Sequence, residues 1–289
     1  MLQRSRVRTH RAVVLAAVSR PWFWPVSWVP AYLGLVLASG ELSPRDPWRA
    51  GLTLLVLGPL IWGAVLAHND LHDLPTDRLN PRKTSAGAVS PRNLRVYSAI
   101  AALAALGTAA LVGPLFVLGV AGVLALGWAY SAPPLRLKAR AGADVLVNAL
   151  VVGVVAPLGG WSVAREPWDF PWQMALLGLL FAAAFYIPTT VVDRPADLRA
   201  GYSTIAVRFG AGGAYRLGLS LWTLALGLSL ACASANVLIP AATLPYQLVM
   251  VPVLLGAYAW LTRSPSIPRL AVLALLFALP STGFALSIT

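Results

Sequence analysis

Nine apolar runs, each about as long as a membrane-spanning helix, follow one another along the chain. They lie near residues 22–39, 50–69, 94–112, 114–131, 144–163, 171–192, 214–234, 238–262 and 268–287. A hydrocarbon core of about 30 Å requires about 20 consecutive apolar residues in a helix. The pattern therefore predicts an all-α integral membrane protein, a single domain over residues 1–289 in which nine transmembrane helices form a bundle around a central cavity.

The low content of charged residues agrees with this prediction. Charged side chains make up 11% of the chain, whereas soluble domains carry about 25%. Apolar residues make up 58%, and the mean hydropathy is +0.73. A surface in water needs more charge than this. The single cysteine, Cys232, lies inside an apolar run, which leaves no disulfide and no cysteine-based metal site.

Lys and Arg residues are distributed very unequally between the two predicted sides of the membrane. If the N-terminus is cytoplasmic, nineteen of the twenty-two fall in cytoplasmic segments, and the other side receives only Arg45, Arg49 and Arg165. Positive residues concentrate on the cytoplasmic side of membrane proteins, so the count predicts a cytoplasmic N-terminus and an odd number of spans. Because these residues recur at the ends of apolar runs, the net charge of +12 reflects topology and does not indicate nucleic-acid binding.

Three of the ten acidic residues lie in one short stretch at the end of the second run. Intervals of three and four residues place its polar side chains on one face of a helix. Three acids this close repel one another unless a cation neutralises them, and hard oxygen donors suit Mg²⁺. The stretch therefore predicts a magnesium site. We call its four members the first acidic motif: Asn69, Asp70, Asp73 and Asp77.

Two histidines, His68 and His72, are also four residues apart in this stretch. A zinc site built on the pair would need a third His or Cys ligand, and the surrounding sequence offers none. We therefore expect His72 to line a pocket rather than to bind zinc.

Asp193 and Asp197 repeat the spacing of four at the end of the sixth run, and we call them the second acidic motif. Arg194 and Arg199 are interleaved with them, so an ordinary salt-bridged loop explains the segment equally well when it is taken alone. Its place on the same predicted side as the first motif favours metal binding, because carboxylates facing each other across a bundle could hold a pair of ions. Gly201 is expected to end the helix.

The only two lysines, Lys83 and Lys138, lie in loops on the side of the acidic motifs, with Arg82 and Arg136 beside them. Each could bind a phosphate as a point charge. The general excess of positive charge on the cytoplasmic side explains most basic residues of the chain, and it remains an alternative for these four.

Asp144 and Asn148 open the fifth run, again four residues apart. A polar pair is costly in hydrocarbon, so it should face the cavity or another helix. Two alternatives stay open, a possible pocket position in contact with substrate and a structural pairing with a neighbouring arginine.

Together these residues resemble the UbiA superfamily of intramembrane prenyltransferases over nearly the whole chain. Asn69-Asp70-x-x-Asp73-x-x-x-Asp77 matches the first motif of the family. Asp193-x-x-x-Asp197, followed by Ala200-Gly201, matches the second. The family often carries another acid three positions before this pair. Thr190 stands there in this chain, so we expect fewer ligands at the second metal site.

Two further segments look most like the branch of the superfamily that contains lycopene elongases. One is Leu79-Asn80-Pro81-Arg82-Lys83, and the other is Tyr130-Ser131-Ala132-Pro133-Pro134-Leu135-Arg136-x-Lys138 with Asp144 and Asn148. The resemblance implies transfer of a prenyl group from an allylic prenyl diphosphate to a lipophilic acceptor. Such an acceptor is a carotenoid such as lycopene, or an aromatic or quinone precursor.

The resemblance also implies roles for individual residues. Two Mg²⁺ ions would stabilise the leaving diphosphate, held by Asn69, Asp70, Asp73, Asp77, Asp193 and Asp197. The phosphates would be bound by Arg82, Lys83, Arg136, Lys138 and Arg199. Catalysis would involve Asp70, Asp73, Asp193, Lys138 and Tyr130. An aromatic ring such as that of Tyr130 can stabilise a carbocation through its face.

Two other functions remain open from the sequence. A terpene cyclase of the same superfamily would convert the prenyl diphosphate alone. A membrane transporter would place acids near the middle of the spans rather than at one set of helix ends. The protein is expected to be a multi-pass protein of a bacterial cell membrane, given its richness in Ala and in Arg over Lys, with its active site toward the cytoplasm.

Overall fold

The computed structural model describes residues 18–77 and 89–289, and within these ranges the chain forms helices and turns but no β-strand. Arg82 and Lys83 lie outside the described residues. The helices are α1 (Trp24–Ser39), α2 (Pro47–Leu55), α3 (Ile61–Asp77), α4 (Pro91–Val112), α5 (Pro114–Ser131), α6 (Ala143–Leu150), α7 (Ala156–Trp161), α8 (Trp172–Arg199), α9 (Ile205–Ser234), α10 (Leu244–Thr262) and α11 (Ile267–Ser287).

Eight helical segments in the described residues are long and apolar enough to cross a membrane. They are Pro47–Leu74, Pro91–Val112, Pro114–Ser131, Ala143–Trp161, Trp172–Arg199, Ile205–Ser234, Ala241–Thr262 and Ile267–Ser287. These segments coincide with the second to ninth predicted runs, so the prediction of an all-helical, multi-pass membrane protein is confirmed. The first run is helical as α1, but its 16 residues fall short of this length. The ninth span and the cytoplasmic N-terminus stay predictions.

The chain divides into two compact units, residues 1–29 with 48–137 and residues 30–47 with 138–289. The first acidic motif belongs to the first unit, at the end of α3. The second acidic motif belongs to the second unit, at the end of α8. The prediction of a single domain over the whole chain stays a prediction.

In the first unit a π-helical turn, Val56–Leu60, joins α2 to α3. Side chains of α1 donate hydrogen bonds to carbonyl oxygens around it. The indole of Trp28 donates to Leu54 at 2.8 Å, and the hydroxyl of Ser27 donates to Leu57 at 2.7 Å. A break in the helical ladder is tolerated inside a membrane where such donors satisfy the freed backbone groups. This turn therefore sets the direction in which α3 carries the first acidic motif.

Helices α3 and α5 approach closely at Gly127. A Cβ atom on this residue would lie 2.8 Å from Cγ2 of Val65, so there is no space for a side chain. Small residues allow this kind of approach between membrane helices. One helical turn further along, α3 carries Asn69 and α5 carries Ser131. The close approach at Gly127 thereby brings these two polar side chains together.

In the second unit a cluster of buried and partly buried aromatic rings packs α8, α9 and α10 together. The rings of Trp222 and Tyr258 are stacked with 5.0 Å between centroids, and Phe185 meets Trp222 edge-on at 5.0 Å. The hydroxyl of Tyr258 donates to the carbonyl oxygen of Ala184 at 2.8 Å. Stacked and edge-on pairs stabilise packing beyond the area they bury. The cluster thus anchors the length of α8 that leads to the second acidic motif.

Candidate functional site

The first acidic motif lies in the last turns of α3, and its side chains are linked in series. The hydroxyl of Ser131 donates to Oδ1 of Asn69 at 3.1 Å, and Nδ2 of Asn69 donates to Oδ2 of Asp73 at 3.0 Å. Ser131 is fully buried, and Asp73 and Asp77 are only 7% and 9% exposed. These contacts hold the Asn69 amide and the Asp73 carboxylate in fixed orientations on one face of α3.

Two guanidinium groups reach the carboxylates of this motif. Nη2 of Arg20 lies 2.7 Å from Oδ1 of Asp70, and Nη2 of Arg136 lies 3.7 Å from Oδ1 of Asp73. Arg136 also donates to the carbonyl oxygen of His72 at 3.4 Å. The contact of Arg136 agrees with its predicted place near the motif. Arg20 was not among the predicted site residues, because the sequence shows it only as one more basic residue before the first run.

The two histidines of α3 lie side by side, with 4.3 Å between ring centroids. Nδ1 of His72 contacts the carbonyl oxygen of His68 at 2.9 Å, so this nitrogen carries the proton and donates along the helix. Across residues 18–77 and 89–289, no three His, Cys, Asp or Glu side chains are placed together so as to hold a metal ion.

The donor set of the first acidic motif suits Mg²⁺. The ion is usually held by one or two carboxylates, with water and substrate phosphates completing six oxygen ligands. Asp73 and Asp77 supply two buried carboxylates one turn apart on α3. The amide of Asn69 donates to Asp73 through its nitrogen, while its oxygen accepts from Ser131 on α5. A site of this kind needs no third acidic ligand from the protein.

The second acidic motif lies in the last two turns of α8. Asp193 is exposed, and Oδ2 of Asp197 accepts a hydrogen bond from the hydroxyl of Thr204 at 3.0 Å. The helix ends at Arg199, which is exposed, and Gly201 follows with φ +70°. The prediction that Gly201 terminates this helix is confirmed. Because Thr204 immediately precedes α9, the start of α9 fixes the orientation of the Asp197 carboxylate.

Thr190 stands at the position where the resemblance described above leads us to expect an acid. It is buried, and its hydroxyl donates to the carbonyl oxygen of Ile187 at 2.7 Å, within its own helix. Arg194 is directed toward α9, because its Nε donates to the carbonyl oxygen of Ala206 at 3.0 Å. Two side-chain hydrogen bonds therefore join the end of α8 to the start of α9, one made by Arg194 and the other by Asp197 with Thr204.

Two further predicted residues occupy well-defined positions. Lys138 lies in the 3₁₀ turn Leu137–Ala139 at the start of the second unit, and it is 8% exposed. Tyr130 lies half-buried in the last turn of α5. A buried ammonium group is stable only with polar partners. The phosphate-binding role of Lys138 stays a prediction.

Asp144 and Asn148 form an arrangement that the sequence did not suggest. The Asp144 carboxylate accepts hydrogen bonds from two backbone N–H groups, that of Gly142 at 2.8 Å and that of Ile205 at 3.0 Å. Asn148 donates to the carbonyl oxygen of Asp144 at 2.8 Å, one turn back along α6. Asp144 is 1% exposed. Its carboxylate therefore joins the start of α6 to the start of α9.

Comparison with known proteins finds a matching family model and relatives of similar sequence. The family model described as the UbiA prenyltransferase family matches residues 27–279. A lycopene elongase/hydratase of Corynebacterium glutamicum is 31% identical over 214 residues, which are 70% of this chain and 72% of that protein. The chloroplastic chlorophyll synthase of Arabidopsis thaliana is 32% identical over 129 residues, which are 39% of this chain and 33% of that protein.

The fold is shared with a solved structure. A UbiA homologue from Archaeoglobus fulgidus, bound to DMAPP and Mg²⁺, has a TM-score of 0.71 and 23% sequence identity. The match covers 95% of this chain and 98% of that one. The family model spans most of the chain, and the fold agrees with it. The chain therefore belongs to the UbiA prenyltransferase family and is an enzyme that transfers prenyl groups.

Proposed function

We propose that the enzyme is Mg²⁺-dependent, ionises an allylic prenyl diphosphate, and transfers the prenyl group to a carotenoid acceptor such as lycopene. The observation that carries the metal assignment is the series of contacts from Ser131 through Asn69 to Asp73. These contacts hold the Asn69 amide and the buried Asp73 carboxylate in place, one helical turn before the buried carboxylate of Asp77. The similarity to a lycopene elongase/hydratase supports the acceptor class, and the DMAPP-bound homologue supports a short allylic donor.

We infer that both acidic motifs supply ligands to two Mg²⁺ ions: Asn69, Asp70, Asp73, Asp77, Asp193 and Asp197. Bound Mg²⁺ would neutralise the negative charge that develops on the leaving diphosphate. The phosphates would be bound by the predicted basic residues Arg82, Lys83, Arg136, Lys138 and Arg199. Arg136 and Lys138 have support from their positions, since Arg136 lies 3.7 Å from Asp73 and Lys138 is buried.

The bond that breaks is the C–O bond between the allylic carbon and the diphosphate, and its electron pair leaves with the diphosphate. The cation that remains is shielded from water inside the membrane and stabilised by the ring face of Tyr130. A double bond of the acceptor then supplies the electron pair of the new C–C bond. The adduct cation loses a proton, which returns the product to neutrality.

The proposal also fixes a topology for the whole chain. The N-terminus lies in the cytoplasm, α1 supplies the ninth span, and both acidic motifs open toward the cytoplasmic side. The steep asymmetry of Lys and Arg residues supports this orientation. All ten acidic residues lie in connecting segments or near helix ends, which is unlike the mid-span acids expected of a transporter.

The function is tested by incubating the purified enzyme in lipid with Mg²⁺ and DMAPP, geranyl diphosphate or longer prenyl diphosphates. Each donor is supplied alone, with lycopene, and with aromatic or quinone-precursor acceptors. We expect a prenylated carotenoid only when donor, lycopene and Mg²⁺ are all present. A hydrocarbon formed from the donor alone would identify a terpene cyclase instead, and a prenylated aromatic product would reassign the acceptor.

Three variants locate the reaction. Asp73→Ala and Asp193→Ala should abolish turnover while the protein stays folded, because each removes a proposed metal ligand. Asp169→Ala is the matched control, since Asp169 is an exposed acid in the 3₁₀ turn Pro167–Asp169, away from either motif in sequence. Full activity in either of the first two variants would overturn the metal assignment.

A further inference from the structure

The strongest unassigned feature of the second unit is the pair of hydrogen bonds that the Asp144 carboxylate accepts. Its Oδ1 accepts from the N–H of Gly142 at 2.8 Å, and its Oδ2 accepts from the N–H of Ile205 at 3.0 Å. Both oxygens are therefore occupied, and the residue is 1% exposed. A carboxylate in this state is not open to a substrate.

The two backbone segments joined by Asp144 both adjoin residues of the proposed reaction. The segment before α6 follows Lys138, and the segment before α9 follows Asp197. The same segments also meet directly, because the N–H of Ser203 donates to the carbonyl oxygen of Ala139 at 2.9 Å. A parallel bridge between Arg140 and Ser203 continues this contact. The Asp144 carboxylate therefore holds together two backbone segments, one next to Lys138 and the other next to Asp197.

The position of Ile205 explains why a carboxylate is suited to this junction. Ile205 is the first residue of α9, so its N–H has no partner within the helix and needs an acceptor from outside. A negative charge is favourable at a helix N-terminus, and a charge-assisted hydrogen bond is stronger than a neutral one. The preceding residue, Thr204, is the one that donates to Asp197 at 3.0 Å. The hydrogen bond to Ile205 therefore also holds Thr204 in place against the Asp197 carboxylate.

We propose that Asp144 is a positioning residue for the diphosphate site, acting through Thr204 on Asp197 and through the 139–142 segment on Lys138. The inference rests on the proposed function, in which Asp197 is a metal ligand and Lys138 binds phosphate. Partners that orient metal ligands typically contribute about tenfold to a hundredfold in metal affinity or activity. We assign Asp144 a contribution of this size, although it contacts neither the metal nor the substrate.

The hydrogen bond between Asp144 and the N–H of Ile205 can be broken by changing either residue. Asp144→Asn keeps the shape of the side chain but turns an N–H₂ group toward one of the two backbone donors. Ile205→Pro removes the N–H of Ile205, and proline is well tolerated at the first position of a helix. Thr204 already has the extended conformation that a following proline requires, with φ −71° and ψ 169°. Ile205→Ala is the matched control, because it reduces the side chain and keeps the N–H.

The readout is Mn²⁺ binding, measured by electron paramagnetic resonance with geranyl S-thiolodiphosphate present as an unreactive donor. Mn²⁺ binds to the same hard oxygen ligands as Mg²⁺. We expect Asp144→Asn and Ile205→Pro each to weaken Mn²⁺ binding about tenfold relative to the wild type and to Ile205→Ala. The values of kcat with Mg²⁺ should fall in parallel.

Unchanged Mn²⁺ affinity in the folded variants would overturn the inference, even if their melting temperatures fall, because that result describes a purely structural role. If Asp144→Asn is not recovered folded, the inference is tested by comparing Ile205→Pro with Ile205→Ala. Equal Mn²⁺ affinities of these two variants would overturn it. Failure of the proposed function is a different result, since the wild type itself would then bind no Mn²⁺ with the donor or form no prenylated product.

Discussion

Ser131 on α5 donates a hydrogen bond to Asn69 on α3, with 3.1 Å between Oγ and Oδ1. The serine itself is fully buried, so the bond is shielded from competing water. It fixes the amide of Asn69 so that its N–H₂ group faces Asp73 and its oxygen faces α5. A residue outside the acidic motif thereby decides which atoms of the motif are available to a metal ion.

Replacing Ser131 with alanine should weaken metal binding without unfolding the protein. Loss of the hydroxyl frees the Asn69 amide to rotate, so the Mg²⁺ concentration for half-maximal activity should rise about tenfold. Ser98→Ala is the control, because Ser98 also donates to α3, at the carbonyl oxygen of Ala64, but one turn before the motif begins. An equal rise in both variants would show that the effect is general loosening of α3.

The close approach at Gly127 gives a second expectation. A methyl group there would lie 2.8 Å from Val65, so Gly127→Ala should separate α3 from α5 and stretch the contact between Ser131 and Asn69. Overpacking of this kind costs about 1–3 kcal/mol of stability. Both the melting temperature and the activity should fall. Gly122→Ala on the same helix is the control, since a methyl group there meets no atom of the described residues within 4 Å. Wild-type behaviour of Gly127→Ala would contradict this packing.

Arg20 should matter most when no divalent cation is bound. Its guanidinium lies 2.7 Å from Asp70 and offsets part of the repulsion among the three acids of the first motif. Arg20→Gln should therefore lower the melting temperature in EDTA, by about 2–4 °C for a loss of about 1 kcal/mol. Added Mg²⁺ should recover most of that loss.

The control for Arg20 is Arg45→Gln, which breaks a more exposed ion pair with Glu41 at 2.6 Å. Exposed pairs of this kind contribute little to stability, so its melting temperature should stay the same with or without Mg²⁺. A decrease in Arg20→Gln of the same size in EDTA and in Mg²⁺ would show that the cation does not replace the guanidinium.

The membrane helices are predictable from the sequence because the length of an apolar run is set directly by the thickness of the bilayer. The predicted bounds are less exact where a helix continues beyond the apolar region. α9 begins at Ile205, although the predicted run begins near 214. Arg208 and the break at Gly210, with φ +71°, interrupt the apolar pattern there while the helix as a whole continues.

The acidic motifs were visible in the sequence because spacing along one helix fixes which side chains share a face. Their partners were not visible. Arg20 and Asp70 are 50 residues apart, and Asp144 and Ile205 are 61 apart. Such contacts depend on how two helices are aligned in space, and a single sequence carries no record of that alignment. The polar character of Asp144 and its cost in the membrane were evident, but its partner was not.

The central claim is that both acidic motifs bind the metal ions that hold the prenyl diphosphate. The most direct test is the number of Mn²⁺ ions bound per protein in the presence of geranyl S-thiolodiphosphate, compared among the wild type, Asp73→Asn and Asp193→Asn. We expect two ions in the wild type and fewer in each variant. Two ions retained in either variant, or none in the wild type, would contradict it.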